Sequence, residues 1–355
     1  MMLTLLDRHI GRSIAIGTLL ALGVLLALFV FFSFIEALRD YGSGGFDLPE
    51  LVRYVVLSQP LKIYQIFPTA ALIGSMLGLS ALALNSELVA MRAAGVSVSR
   101  IVASALKVGL VFAILAVALG EYVVPGAENA AQLGRAKAMH KGVYRRSSGL
   151  WLRDGATYVN IGEVLPDFSL LRVSIYHFDD DNRLRAQTSA GRARFADGAW
   201  RLEEVRQSRI GDNAVQVRQA PTESWATHLT RETVAVFALS PDGLSMQNLY
   251  RYIRHLQQNN QDTRGYRIAF WQKLLSPLAT IVMVLLATPF VFQPVRSGGL
   301  SQRIFLGVML GLAFIMVNNS FGYFGVLYGL PPVLGALLPI VLFLALAFYL
   351  LRRAG

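Results

Sequence analysis

The chain has 355 residues, 54% of them hydrophobic and only 15% charged, and its mean hydropathy is positive. That balance excludes a wholly soluble protein of this length and predicts an integral membrane protein. A formal net charge of +11 is open to nucleic acid, anionic lipid or membrane topology, while the absence of cysteine excludes metal-thiolate sites, thiol nucleophiles and disulfides.

Apolar runs long enough to cross about 30 Å of hydrocarbon, at about 20 residues each, lie near 13–36, 60–84, 100–124, 268–292, 304–327 and 333–351. They predict six spans in two sets of three. The first is too long for the roughly 7–15-residue core of a signal peptide and lacks an A-x-A site, so it reads as an uncleaved anchor. Basic residues mark the connections of one side: Arg8 and Arg12, Arg92 and Arg100, Arg296 and Arg303, Arg352 and Arg353. The opposite connections mix signs, as in Arg39, Asp40, Asp47, Glu50 and Arg53. Both termini are therefore expected in the cytoplasm, with the long segment between the third and fourth spans outside. Pro68, Pro277 and Pro289 are expected to break or kink their spans.

Between the second and third spans lies a short polar helix at about 85–95. Asn85 or Ser86 is expected to cap it, Glu87 to favour the positive dipole end, and Gly95 to close it in a left-handed conformation. Leu88, Met91 and Ala94 give it a small apolar face suited to a groove on another protein. The plainer reading of Glu87 is that it only tunes the helix dipole.

From about 125 to 265 apolar residues alternate with polar ones. Leu171, Val173 and Ile175 are expected on one face against Arg172, Ser174 and Tyr176, and Trp200 and Leu202 against Arg201 and Glu203. Turn signals at Arg153-Asp154-Gly155, Asp180-Asp181-Asn182 and Ala196-Asp197-Gly198 indicate a sandwich, jelly roll or open barrel, with helical stalks near 126–142 and 245–258. The division is then 1–124 for spans one to three, 125–265 for the β domain and 266–355 for spans four to six.

Enzymatic readings find little support. No G-x-x-x-x-G-K-[ST] loop occurs, so this chain has no ATP site of that kind, and few ionisable groups in the spans disfavour ion coupling. His9, His140, His177, His228 and His255 lack metal-ligand spacing, and neither a serine elbow nor H-E-x-x-H is present, so no catalytic or metal residue is assigned. Arg192, Arg194, Arg201, Arg206 and Arg209 alternate with acidic residues as a solvated strand face does, not as a nucleic-acid surface.

Several motifs in order carry a family resemblance: Leu6-Asp7-Arg8-His9-Ile10-Gly11, Ser86-Glu87-Leu88-Val89-Ala90-Met91-Arg92-Ala93-Ala94-Gly95, Gly120-Glu121-Tyr122-Val123-Val124-Pro125 and Tyr328-Gly329-Leu330-Pro331-Pro332. Together, over essentially the whole chain, they resemble the lipopolysaccharide-export permeases of the LptF/LptG family, the LptG branch more closely. The resemblance implies six transmembrane helices around one periplasmic β-jellyroll in the inner membrane. It implies an LptF paralogue as partner, a dimeric ATPase, LptB, that binds the ATP and magnesium, and LptC and LptA as the periplasmic path for the lipid. It makes 85–95 a coupling helix, with Glu87, Leu88, Met91 and Arg92 toward the ATPase.

A phosphorylated glycolipid calls for apolar walls and a cationic outer rim. Rim candidates are Arg39, Lys62, Arg135 and Lys137, each of which has the alternative of snorkelling to lipid headgroups. By resemblance, the positions of Arg39 and Arg135 face phosphates; the family often has a basic residue one turn deeper in the first span, where this chain has Ser33. Wall candidates are Phe67, Phe314, Met316 and Phe321, with ordinary packing bulk as the alternative. Asn318 and Asn319 are expected to join helices, and spans one and five to part as a lateral gate. In the β domain, Trp151, Tyr158, Ile175, Phe195 and Trp200 are candidates to meet acyl chains or to form plain core. Rival readings are an LptF-type subunit, a four-span lipoprotein or macrolide-type exporter, and a non-transporting sensor or scaffold.

Overall fold

The computed structural model describes residues 5–139, 149–154, 156–165, 168–179, 181, 183–196, 199–211, 214–227, 229, 241–258, 262–292, 300–328 and 330–354. Gly155, Asp180, Asn182, Asp197 and Gly198 of the expected turns lie outside these, as do His140, His228, Arg296 and Gly329. The helices are α1 (Leu5–Leu38), α2 (Leu48–Leu84), α3 (Glu87–Ala93), α4 (Val98–Ala118), α5 (Val124–Ala138), α6 (Met246–Gln258), α7 (Arg264–Ala287), α8 (Pro289–Phe292), α9 (Leu300–Tyr328) and α10 (Pro332–Ala354). All six expected spans are helices long and apolar enough to cross a membrane. A separate six-stranded antiparallel sheet is inserted between the two sets of three.

The chain divides into a helical unit (1–33, 59–125, 264–355) and a second unit (34–58, 126–263). In the helical unit, packing depends on glycine. Lipid is as apolar as leucine, so helices in a membrane gain little from hiding apolar surface and associate where small residues let backbones approach. Gly74 and Gly78, four apart on α2, meet Thr18 and Ser13 of α1 so closely that a Cβ on either would overlap α1 backbone. Ser13 Oγ also donates to the Gly78 carbonyl (3.0 Å). On the other side of α2, Gly307 and Gly311 of α9 seat against Met76 and Thr69. Between these neighbours α2 is the most buried span. Further along, α7 packs on α4 and α10, and α9 on α10.

Proline acts less uniformly than expected. α2 continues through Pro60 and Pro68, and α7 through Pro277, whereas Pro289 follows a break at Thr288 and opens α8. A proline removes one intrahelical hydrogen bond, and flanking turns plus neighbouring helices can hold the rest of the helix in register. Between α4 and α5, residues Leu119–Val123 form a π-helical turn just before Pro125. There Gly120 lies against the Tyr64 ring.

In the second unit, strands β1 (Leu150–Asp154), β2 (Thr157–Val164), β3 (Leu170–Phe178), β4 (Leu184–Ala196), β5 (Ala199–Ile210) and β6 (Val215–Trp225) pair in sequential order. The described strands are thus a single meander; the two sheets and crossovers that the name jelly roll carries are not among them. One face holds the core, with Leu152, Val159, Ile161, Leu170, Val173, Trp200 and Leu202 nearly inaccessible. Trp200 Nε1 donates to the Leu229 carbonyl (2.7 Å), and the ring packs against Phe195 and Trp225.

The alternation changes phase along one row of the sheet. Buried positions step by three, not two, from Ile161 to Val164, Leu170 to Val173, Ala190 to Ala193 and Leu202 to Val205. Arg172 and Glu204 sit in these steps with positive φ (52° and 56°). Their side chains lie over Gly162 and Gly191 of the adjacent strands. Leu170, not Leu171, therefore shares the buried face with Val173 and Ile175, because the left-handed backbone at Arg172 re-aims the residues before it without shifting the strand register. The face expected of Trp200 and Leu202, short of the row, is as the alternation predicts.

Candidate functional site

The first candidate is the corner between α2 and α4. Ser86 precedes α3 with φ 60° and makes no side-chain cap, so the expected cap is replaced by a left-handed turn. At the other end the Gly95 N–H donates to the Arg92 carbonyl and the Val96 N–H to the Met91 carbonyl (both 3.0 Å), with Gly95 at φ 89°. This double closure satisfies two of the last carbonyls. The N–H of Arg100 is capped by Ser97 Oγ (3.3 Å) at the start of α4.

Leu88 is buried in this chain's own core with Ile10, Ile14, Leu82 and Ile101, and Met91 packs on the same cluster. The side of α3 left open carries Val89, Ala90, Arg92, Ala93 and Ala94, with Val89 66% exposed. Glu87 stands at the edge of that surface, where His9 Nε2 donates to its Oε2 (2.5 Å). The opening motif of the chain and the short helix therefore meet in space.

Two residues back on α1, Asp7 forms a cluster the sequence reading does not single out. Its carboxylate is 1% exposed; Oδ1 accepts from Ser104 Oγ (2.7 Å) and Oδ2 from Lys107 Nζ (2.6 Å), with Arg100 at 3.5 Å. The available signal is Lys107 itself, a lone lysine inside an apolar run, since such a charge usually faces the bundle interior and a partner.

The rim candidates separate by environment. Arg135 is half-buried: its guanidinium donates to Asp40 and to the Tyr54 hydroxyl (3.2 Å) and lies 4.9 Å over the Tyr54 ring. These contacts, with the Gly45 N–H bonded to the Ala138 carbonyl (2.7 Å), tie the end of α5 to the loop between α1 and α2. Arg39 and Lys137 are exposed in the same unit, and neither side chain has an ion-pair partner among the described residues. Lys62, partly buried, belongs to the helical unit.

Of the wall candidates, Phe67 packs edge-on to Phe112 and Phe314 edge-on to Phe343, both inside the core. Met316 is 69% exposed, and Phe321 is partly exposed beside Phe324. Asn318 meets Gln272 through its backbone carbonyl (3.5 Å), and Asn319 is exposed. On the sheet, Trp151 stacks on Tyr176 away from the core, while Ile175 borders a cavity of about 760 Å³ lined also by Arg185, Thr188, Gln207 and Arg209. Among the described residues no three His, Asp or Glu side chains are placed to hold a metal.

A profile of the lipopolysaccharide export system permease LptF/LptG matches residues 8–353. The chain belongs to the LptF/LptG family. It is 36% identical over 353 residues to the lipopolysaccharide export system permease protein LptG of Escherichia coli K12, covering 98% of each chain. It is 34% identical over 355 residues to the protein of the same name from Haemophilus influenzae Rd, covering 99% of each. In this LptF/LptG-family chain, His9 and Glu87, through which two of the motifs come together, both lie inside the matched span.

Proposed function

We propose that this chain is one permease subunit of an ABC-type exporter that withdraws lipopolysaccharide from the inner membrane and passes it to a periplasmic bridge. Hydrolysis belongs to a dimeric LptB-type ATPase, which binds ATP and magnesium, and this chain holds no cofactor. A paralogous LptF-type permease completes the transmembrane part, LptC and LptA take the lipid onward, and the β unit lies in the periplasm with both termini cytoplasmic.

The observation that carries this reading is the α3 corner: a short helix between two spans, closed at its C-terminal end and presenting a small exposed face. Val89, Ala90, Arg92 and Ala93, with Glu87 at the edge, are assigned to the ATPase contact, while Leu88 and Met91 seat the helix on its own spans. Arg39 and Lys137 are assigned to lipid phosphates as charges not committed to a carboxylate, with Lys62 as a further cation; Arg135 acts by holding the stalk. Met316 and Phe321 are assigned to acyl chains, and Phe67 and Phe314 to support behind them. The sixfold span count supports this over a four-span exporter.

Affinity purification from membranes, with mass spectrometry of bound lipid and proteins, tests the reading on the natural chain and on Glu87→Ala. Lipopolysaccharide, a second six-span permease and an ATPase should co-purify, the ATPase weakened at least severalfold by the substitution. Recovery of the lipid and permease with no ATPase would overturn the assignment.

A further inference from the structure

α1 is fastened unevenly. Asp7, Ile10, Ile14, Gly17, Thr18 and Ala21 are buried, whereas no residue from 22 to 32 is buried within this chain. The buried stretch ends in polar contacts of different kinds: Asp7 to Ser104 and Lys107 of α4, and His9 to Glu87 of α3. α3 and α4 are themselves joined by the closure at Gly95 and the Ser97 cap.

We propose that Asp7, with Lys107, Arg100 and Ser104, is a polar lock that makes the start of the first span and the ATPase-facing corner move as one body, so that a push on α3 is delivered to α1. The proposal rests on the export reading above, and Asp7 and Lys107 act in it as positioning residues. Apolar packing alone tolerates sliding by a turn, because one leucine face substitutes for another. A buried carboxylate does not, since any shift leaves it without donors in a place where water cannot replace them. The lock therefore fixes the register of α1 on α4. Above it, α1 packs on α2 through Ile10, Ile14 and the close contacts at Gly17, Gly74 and Gly78, no residue from 22 to 32 is buried, and burial returns at Ser33 and Ala37. Fixed in register at its foot and unburied only between residues 22 and 32, α1 is a stiff rod that passes a displacement near α3 along its own length.

The cysteine-free sequence allows clean labelling. Spin labels at Arg12→Cys and Ser99→Cys, both on exposed positions of α1 and α4, should give a narrow distance distribution in nanodiscs. Asp7→Asn and Lys107→Met should broaden it, and the exchanged pair Asp7→Lys with Lys107→Asp should narrow it again. In vesicles with the ATPase partner, Asp7→Asn should leave ATP hydrolysis within twofold but lower lipid moved per ATP at least fivefold. An unchanged distance distribution, or an unchanged lipid-to-ATP ratio, would overturn the lock. So would loss of the bound ATPase in both single variants without recovery in the exchanged pair, which would make the cluster a folding element only. Absence of ATP-driven lipid movement in the natural chain would instead overturn the export reading, and the label distances, which need no ATPase, would still decide the fastening.

Discussion

The helical unit and the β unit both bring backbones close together, by opposite means. In the helical unit side chains are removed: Gly74 and Gly78 let α1 lie directly on α2, and Gly307 and Gly311 let α9 do so from another side. In the β unit side chains are added, and the core is filled by Trp200 and a layer of branched aliphatics on one face of a sheet whose backbone is already paired. Where hydrogen bonds between segments set the spacing, bulk stabilises; where nothing but contact sets it, bulk pushes the segments apart.

The largest test of the comparison is Trp200→Ala. It empties the centre of the β core and leaves the Leu229 carbonyl without its donor, at a cost of about 3–5 kcal/mol. Amide hydrogen exchange on the whole protein should show β4, β5 and β6 losing protection by the corresponding factor of a hundred or more. Protection in α2 and α7 should not move; a loss there of similar size would mean that the two units do not unfold separately.

A paired substitution sharpens it. An added Cβ at Gly78 would overlap the Ser13 backbone carbonyl, and one at Gly191 would overlap the carboxylate end of Glu204. The nominal crowding is alike, but a backbone cannot swing aside and a glutamate can. Gly78→Ala is expected to destabilise the helical unit by about 1–3 kcal/mol. Gly191→Ala should change stability by less than about 0.5 kcal/mol, because Glu204 is exposed and alanine is easier to order than glycine. Thermal unfolding in detergent, followed by intrinsic fluorescence, compares the two; equal losses would refute the distinction.

The same contrast explains what was legible in the sequence. Apolar run length located six spans, since hydrocarbon thickness acts on each helix alone, and alternation located the strands. The seating of helices was less visible: a glycine reads the same whether it meets lipid or another backbone. The apolar stripe of Leu88 and Met91 likewise reads the same whether it enters a partner's groove or, as here, its own core. The misplacement of Leu171 has a local cause, the positive φ of Arg172, a residue with no turn signature. Asp7 was missed because its donors lie 97 and 100 residues away. Arg135 reads in the sequence as a rim cation, and its contacts are not legible there because Asp40 and Tyr54 come from a loop and helix far off in the chain.

The smallest expected effect lies at the β3–β4 turn, where charge and backbone hydrogen bonds do what bulk does in the core. Asp179 Oδ1 accepts from the N–H groups of Arg183 (2.8 Å) and Asp181 (3.1 Å), and Oδ2 from Arg185 Nε (2.7 Å). The Arg183 N–H first, then Arg185, hold the carboxyl below its ordinary value of 3.8. A depressed value means that the folded turn binds this proton less readily than the unfolded chain does. The stabilisation is therefore complete above about pH 5 and is lost as the pH falls through the ordinary aspartate range and below it. Asp179→Asn keeps one acceptor oxygen for the backbone but abolishes the titration. Amide exchange at Asp181 and Arg183, measured against a peptide reference, should lose protection between pH 5 and 3 in the natural chain and stay level in the variant. Because the turn is exposed, the core amides of β3 and β4 should follow neither change; if they do, the turn is coupled to the sheet more tightly than the separation of surface from core allows.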